Sequence, residues 1–215
     1  GLGAGVAPKL SGTADLQGGA RAIPELGWRK GADATGSLTA EATLGSQLKV
    51  DSLRLNAAGL RTSASITFRE NGEFDRVRFT SFDLGDWLAV PAELIGRGSA
   101  MPDIRVLGGV LDMGRASFGE SGGSGGGGSA GPKLDVTLDR LQVTETVALT
   151  GCRGAVQTTG GIQGNFTARV NGGAPVRGQV SPRGNRSAVD LTSQEAGAVL
   201  RSAGVLTPAR GGEMN

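Results

Sequence analysis

Apolar and polar residues alternate strictly along KLDVTLD, residues 133–139, and this stretch gives the clearest indication of the fold class. Successive side chains of a β-strand point to opposite faces, so Leu134, Val136 and Leu138 share one face. The lysine, the aspartates and the threonine share the other face. This period of two predicts a strand that is buried on one side only.

Two further stretches show the same period of two, each with its apolar residues on a single face. In residues 63–68 that face carries Ile66 and Phe68. In residues 162–170 it carries Ile162, Phe166, Ala168 and Val170. One-sided burial is typical of antiparallel sheets, whereas the parallel strands of α/β folds are buried on both faces.

Short turn signals separate such strands. Asn71-Gly72 lies between two apolar runs, and Asn171-Gly172-Gly173 lies between two others. These dipeptides favour the tight turns of β-hairpins. The sequence therefore predicts a mainly β fold, organised as a meander of antiparallel strands.

Two segments depart from the strand period. Residues 193–203 have helical spacing, with Thr192 and Glu195 placed as a capping box and Gly204 placed as a left-handed stop. The predicted apolar face of this helix comprises Ala196, Val199, Leu200 and Ala203. Residues 83–94 are the second segment, for which we predict a helical turn or short helix, since Pro91 prevents a long one.

The segment Ser121–Ser129 reads SGGSGGGGS, which is the composition of a flexible engineered linker. A natural glycine-rich loop is the alternative interpretation. In both cases we expect three parts: a β-rich groove segment over 1–120, the linker over 121–129, and a second β segment with the short helix over 130–215. The abrupt ends of the sequence favour a piece of a longer protein.

The composition excludes several classes of site. The chain contains no His and no Tyr, and Cys152 is its single cysteine, so His-based triads and zinc sites of His or paired Cys are excluded. Lys and Arg number 22 and Asp and Glu number 20, and this balance argues against nucleic-acid binding. We expect no enzyme, no metal and no cofactor.

Residues that resemble catalytic or ligand-binding groups have simpler interpretations. Asp83, Asp86 and Glu93 are expected to be solvated turn residues, since no partner for acid–base work lies near them in sequence. Cys152 is expected to be a buried structural thiol. Trp28 and Trp87 are expected to contribute to a core.

The second half of the chain carries the most specific pattern. Residues 138–156 read LDRLQVTETVALTGCRGAV, and residues 164–215 contain a hairpin, a strand that ends near Asp190, a helix over 196–204, and Arg210-Gly211-Gly212. Residues 104–118 add a weaker match. This pattern resembles the C-terminal region of AsmA-like proteins of the bacterial envelope, of the alphaproteobacterial type.

The resemblance implies a periplasmic protein, anchored in the inner membrane by an N-terminal helix outside this sequence. It also implies a long, curved antiparallel sheet that forms an open apolar groove, with one or two short helices. Such a groove would bind or conduct phospholipid acyl chains between the inner and outer membranes, with outer-membrane or other envelope proteins as partners. Beyond Gly212, family members continue with another strand.

The expected lipid-facing residues are those on the apolar faces of the predicted strands: Ile66, Phe68, Leu134, Val136, Leu138, Ile162, Phe166, Ala168 and Val170. Each methylene removed from water contributes about 0.8 kcal/mol, so acyl chains would help to fill such a face. The alternative is a β-sandwich that fills its own core and serves as a structural or adhesion module without a lipid. An open apolar face would distinguish the groove from the sandwich.

Overall fold

The computed structural model describes residues 7–18, 21–23, 28–31, 33–45, 47–116, 131–157, 163–183 and 186–204. Within them, the chain forms fifteen β-strands and one short helix. In chain order these are β1 (Lys9–Asp15), β2 (Arg21–Ile23), β3 (Trp28–Lys30), β4 (Gly36–Leu44), β5 (Leu48–Ala57), β6 (Leu60–Phe68), β7 (Phe74–Leu84), β8 (Leu88–Arg97), β9 (Ala100–Leu107), β10 (Val110–Asp112), β11 (Lys133–Gln142), β12 (Ala148–Gln157), β13 (Gln163–Val170), β14 (Pro175–Arg183), β15 (Arg186–Thr192) and α1 (Ala196–Ser202).

One sheet contains thirteen of the described strands, in the order β1-β4-β5-β6-β7-β8, then β9 and β10, then β11-β12-β13-β14-β15. Strands β2 and β3 form a separate hairpin. Register shifts interrupt several strand pairs, for example β4–β5 and β12–β13, and such bulges bend a sheet and increase its twist. The result is the long curved sheet with an open groove that the sequence analysis predicted.

The strands on either side of the glycine-rich segment depart from the antiparallel rule. Strands β9 and β10 follow one line, broken at Gly108-Gly109, and both pair in parallel with β11. Gly109 has φ +86°, and a Cβ there would overlap the carbonyl oxygen of Ala89, so only glycine fits this break. The Asp139 side chain accepts a hydrogen bond from the Gly109 amide (2.8 Å) and holds the break against β11. The other strand pairings are antiparallel, so the predicted meander is confirmed outside this junction.

The two predicted hairpins form as expected. Asn171 and Gly172 both have positive φ, +46° and +77°, which is the pattern of the turn that joins twisted strands. Gly72 has φ +80° in the turn between β6 and β7. The glycine-rich residues 121–129 lie outside the described residues, as does Ile162.

Two helix predictions require correction. Residues 83–94 are not helical: they form the end of β7, a turn, and the start of β8. The apolar residues there alternate along strands, and Pro91 occupies a position in β8. The C-terminal helix is shorter than predicted, Ala196–Ser202, because Thr192 still belongs to β15, where its hydroxyl bonds the Arg177 carbonyl.

The capping box is therefore absent from α1. Glu195 occupies the N-cap without a side-chain capping bond. Gly204, with φ +73°, follows the helix as predicted. The apolar face is also narrower than predicted, since Val199 and Ala203 pack on the core while Ala196 is exposed and Leu200 is 42% exposed.

The core lies at one end of the strands, beside the turns that join β5–β6, β7–β8, β11–β12 and β13–β14. Trp28 and Trp87 are buried there, as expected, in a cluster with Leu60 and Leu84. A second cluster comprises Val90, Leu138, Leu149, Cys152, Ala168, Val170 and Val176. No helix in the described part of the chain is long and apolar enough to cross a bilayer.

Candidate functional site: the apolar face of the sheet

Two unbroken rows of apolar residues and glycines run across the whole sheet. Residues that pair directly in neighbouring strands share a face, so the register defines each row. We call the first the Ile66 row: Leu10, Ala42, Val50, Ile66, Val77, Leu94, Ile104, Leu134, Val156, Gly164, Val180 and Val189. The second is the Phe166 row: Gly12, Ala40, Leu53, Ala64, Phe79, Ala92, Val106, Val136, Gly154, Phe166, Gly178 and Leu191.

The two rows define what we call the groove face. Strands lie about 4.8 Å apart, so twelve strand positions give this face a length on the order of 50 Å. No charged or hydrogen-bonding side chain interrupts either row. Ligand sites are lined predominantly by apolar side chains, and both rows have that character along their whole length.

The groove face is closed at one end of the strands and open at the other. The core clusters and helix α1, through Val199 and Ala203, cover the closed end. At the open end, Ile66, Leu134 and Val156 are only half-buried. On the two outermost strands the same face is exposed, with Leu10 at 59% and Val189 at 56%.

The eight predicted lipid-facing residues that the structure describes divide into three groups, and the ninth, Ile162, is not among the described residues. Four lie on the open groove face: Ile66, Leu134, Val136 and Phe166. Three lie in the buried core at the closed end: Leu138, Ala168 and Val170. Phe68 is half-buried opposite Phe74, beside the β6–β7 turn.

The sequence analysis missed a large part of the groove face. The rows on β4 and β5, with Ala40, Ala42, Val50 and Leu53, were not recognised, nor was Val180 on β14. Residues 36–44 do alternate, but alanine is too small to give a strong apolar period. On β14, glycine at 178 interrupts the pattern that Val176 and Val180 would otherwise show.

Phe166 stands between two glycines of neighbouring strands, Gly154 and Gly178. A Cβ built on either glycine would overlap Phe166, and at Gly178 the overlap is with the ring itself. The ring therefore extends across β14 and covers its backbone. This arrangement compensates for the missing side chain of a glycine in a strand interior.

The opposite face of the sheet is polar, and its central feature is a buried carboxylate. The Glu93 side chain is 5% exposed and contacts three guanidinium groups, those of Arg78 (2.8 Å), Arg76 (3.5 Å) and Arg105 (3.7 Å). Arg78 and Arg105 flank Glu93 in register on the adjacent strands. The expectation that Glu93 is a solvated turn residue is wrong, because strand β8 replaces the predicted helix.

The other two carboxylates of the 83–93 segment serve different purposes. Asp86 is exposed in the β7–β8 turn and forms an ion pair with Arg115 (2.6 Å). Asp83 is not the solvated turn residue that was expected, because it lies within β7, half-buried and opposite Arg61 of β6. The three carboxylates therefore do not converge on one point.

Cys152 is buried in the core, 4% exposed, as predicted. Its thiol lies 3.6 Å from the carbonyl oxygen of Leu149. Burial raises the pKa of the Cys152 thiol, because the thiolate would lose its hydration. Arg153 points to the opposite, exposed face and offers the thiol no charge partner.

The chain matches no protein-family model, no curated protein and no solved structure. The functional argument therefore rests on the residues and on the geometry of the groove face.

Proposed function

We propose that the groove face binds the acyl chains of phospholipids and that the chain is a periplasmic segment of an AsmA-like envelope protein. In this proposal the protein is not an enzyme. The full-length protein is anchored in the inner membrane, and its groove holds or conducts lipid between the inner and outer membranes. Outer-membrane or other envelope proteins would be its partners.

The observation that carries the proposal is the pair of continuous apolar rows on a single open sheet. A β-sheet that is apolar on one face normally buries that face against another layer. Among the described helices and strands, only α1 and the β2–β3 hairpin lie outside this sheet. Both contribute residues to the core clusters at the closed end. A ligand with long apolar chains would cover the remaining surface.

The energetics agree with an acyl ligand. Burial of a sixteen-carbon chain contributes roughly 12 kcal/mol at about 0.8 kcal/mol per methylene, before the cost of ordering the chain is subtracted. The exposed Leu10, Val189 and Leu191 at the outer strands would leave the apolar surface continuous toward either end. A groove that conducts lipid needs such continuity, whereas a closed sandwich core does not.

The proposal is tested by one substitution at the open end of the groove face and one on the back of the same strand. Val156→Asp places a charge in the Ile66 row, and Ala155→Asp places the same charge on the exposed polar face of β12. We expect wild type and Ala155→Asp to retain phospholipid in organic extracts examined by mass spectrometry. Val156→Asp should fold, because its site is half-exposed, and should lose that lipid.

Circular dichroism of both variants establishes that they fold. A folded Val156→Asp variant that carries as much lipid as wild type would contradict the groove. Absence of lipid from wild type itself would favour the alternative, a structural or adhesion module of the envelope without a lipid ligand.

A further inference from the structure

The polar face of β12–β14 repeats one feature of the arrangement around Glu93, namely two arginines that flank a central residue on the adjacent strands. In the centre of the sheet, Arg78 and Arg105 flank Glu93 in register on adjacent strands. On β12–β14, Arg153 and Arg177 flank Thr167 in the same register. The middle position therefore holds a carboxylate in the first arrangement and a hydroxyl in the second.

Glu93 shows that two arginines placed in this way can both contact a single anion between them. Guanidinium groups on alternate strands are about 10 Å apart at the backbone, and their side chains converge on one anion between them. Glu93 receives contacts of 2.8 Å and 3.7 Å from its two flanking arginines. Within the described residues, neither Arg153 nor Arg177 has a carboxylate at ion-pair distance.

The surface around Thr167 has the shape of a site. Two adjacent depressions, of about 570 and 340 Å³, share Thr167, Arg177 and Thr192 as lining residues. Arg169 lines the larger depression and Arg153 lines the smaller one. Among the residues that line the two depressions, the carboxylates are Asp190 and Glu195, each in one depression only, so three guanidinium groups outnumber two carboxylates in this lining.

We infer that Arg153, Thr167 and Arg177 form a binding site for a phosphate group. Two arginine forks and one hydroxyl supply donors for more than the two oxygens of a carboxylate, which suits a tetrahedral oxyanion. The phosphate could belong to a lipid headgroup or be free inorganic phosphate, since the chemistry is the same. The site lies on the face opposite the groove, so it does not depend on the proposed function.

The decisive variant is Thr167→Glu, which places a carboxylate between the two arginines as Glu93 stands between its own. We expect wild type to bind inorganic phosphate saturably in calorimetric titrations, and Thr167→Glu to bind at least tenfold more weakly. Its melting temperature should equal or exceed that of wild type, because the new carboxylate satisfies two guanidinium groups. The control is Thr39→Glu, since Thr39 is an exposed threonine of β4 on the same polar face of the sheet as Thr167. This variant should bind phosphate within twofold of wild type.

A second pair of variants removes the cations. Arg153→Gln combined with Arg177→Gln should abolish binding, whereas Arg54→Gln combined with Arg61→Gln removes the same charge from the same face elsewhere and should retain it. Flotation with phosphatidylcholine vesicles, with and without phosphatidylglycerol, identifies the source of the phosphate. Binding to the anionic vesicles alone assigns a lipid headgroup, and binding to inorganic phosphate alone assigns the free ion.

Either result supports the site, provided that both site variants lose binding and both controls keep it. The inference is overturned if wild type binds neither phosphate nor anionic vesicles. It is also overturned if the control variants lose binding as much as the site variants, since the attraction would then follow overall charge.

Discussion

The phenyl ring of Phe166 occupies the position that a side chain at Gly178 would take on the neighbouring strand. Phe166 and Gly178 are direct partners in the β13–β14 register, on the groove face. Because Gly178 has no side chain, the Phe166 ring can lie against the backbone of β14.

The first prediction concerns that glycine. Gly178→Ala forces the ring away and should destabilise the protein by about 1–3 kcal/mol, as overpacking does. Gly12→Ala is the matched control, because Gly12 lies in the same row at the far end of the sheet and has open space around it. It should change stability by less than about 1 kcal/mol, and in the stabilising direction. Urea denaturation of both variants makes the comparison, and equal effects would contradict the packing described.

Individual strands and turns were predictable from the sequence, because the patterns that indicate them involve residues close together along the chain. Alternation in residues 133–139 identifies β11, and Asn171-Gly172 identifies the turn that follows β13. Both depend only on near neighbours along the chain. The register of Phe166 with Gly178 involves residues of different strands, and no local pattern specifies it.

The helix prediction for residues 83–94 was wrong because the local pattern there is ambiguous, whereas the predicted C-terminal helix forms with shorter bounds. Residues 83–94 have apolar spacing compatible with a helical turn. The second part of this segment forms β8 instead, because it pairs with both β7 and β9. Glu93 was misjudged for the same reason, since its burial depends on Arg78 and Arg105 from those neighbouring strands. Tertiary pairing overrides weak local preference in both cases.

The second prediction concerns the buried carboxylate. Glu93→Gln removes a charge that three guanidinium groups contact and should cost about 1–3 kcal/mol of stability. Asp135→Asn is the control, because Asp135 is 55% exposed and makes a single 3.8 Å contact with Arg105. Its cost should stay below about 0.5 kcal/mol. A Glu93→Gln loss as small as that of Asp135→Asn would show that the arginines contribute nothing through this carboxylate.

The third prediction concerns the orientation of α1. Its C-terminal end is fixed by Asn171, whose side-chain amide donates to the Ser202 carbonyl (2.6 Å), and by the packing of Val199 on the core. Val199→Ala should therefore cost about 1–2 kcal/mol. Leu200→Ala should cost less than about 0.5 kcal/mol, because Leu200 is 42% exposed. Thermal denaturation of the two variants gives the order of their stabilities. If Leu200→Ala were the more destabilising, Leu200 would be buried as the sequence analysis predicted.

The fourth prediction concerns Cys152. Burial raises the pKa of its thiol, so the folded protein keeps a proton that the unfolded chain releases at high pH. The associated stability is present below the ordinary thiol pKa and is lost as the pH rises through the raised value. At pH 8, a thiol reagent should label Cys152 slowly in the folded protein and rapidly in urea. Thr39→Cys in a Cys152→Ala background supplies an exposed control, and equal labelling rates in the folded state would contradict the burial.

The last prediction concerns the connection between the two halves of the sheet. Asp112 at the end of β10 pairs with Gln142, yet β11 begins nine residues earlier at Lys133. The chain must therefore return about 30 Å before β11 can start parallel to β10. If residues 117–130 are deleted, the six residues 113–116 and 131–132 reach only about 25 Å when fully extended.

We expect that deletion to break the parallel pairing and to lower the melting temperature sharply. Replacement of Ser121–Ser129 by a different flexible sequence of equal length should leave the melting temperature unchanged, because length and not side-chain chemistry is then the requirement. The comparison separates the two explanations for this segment. A loss of stability in the equal-length replacement would show that residues 121–129 pack as native structure, and the interpretation of the segment as a linker would be wrong.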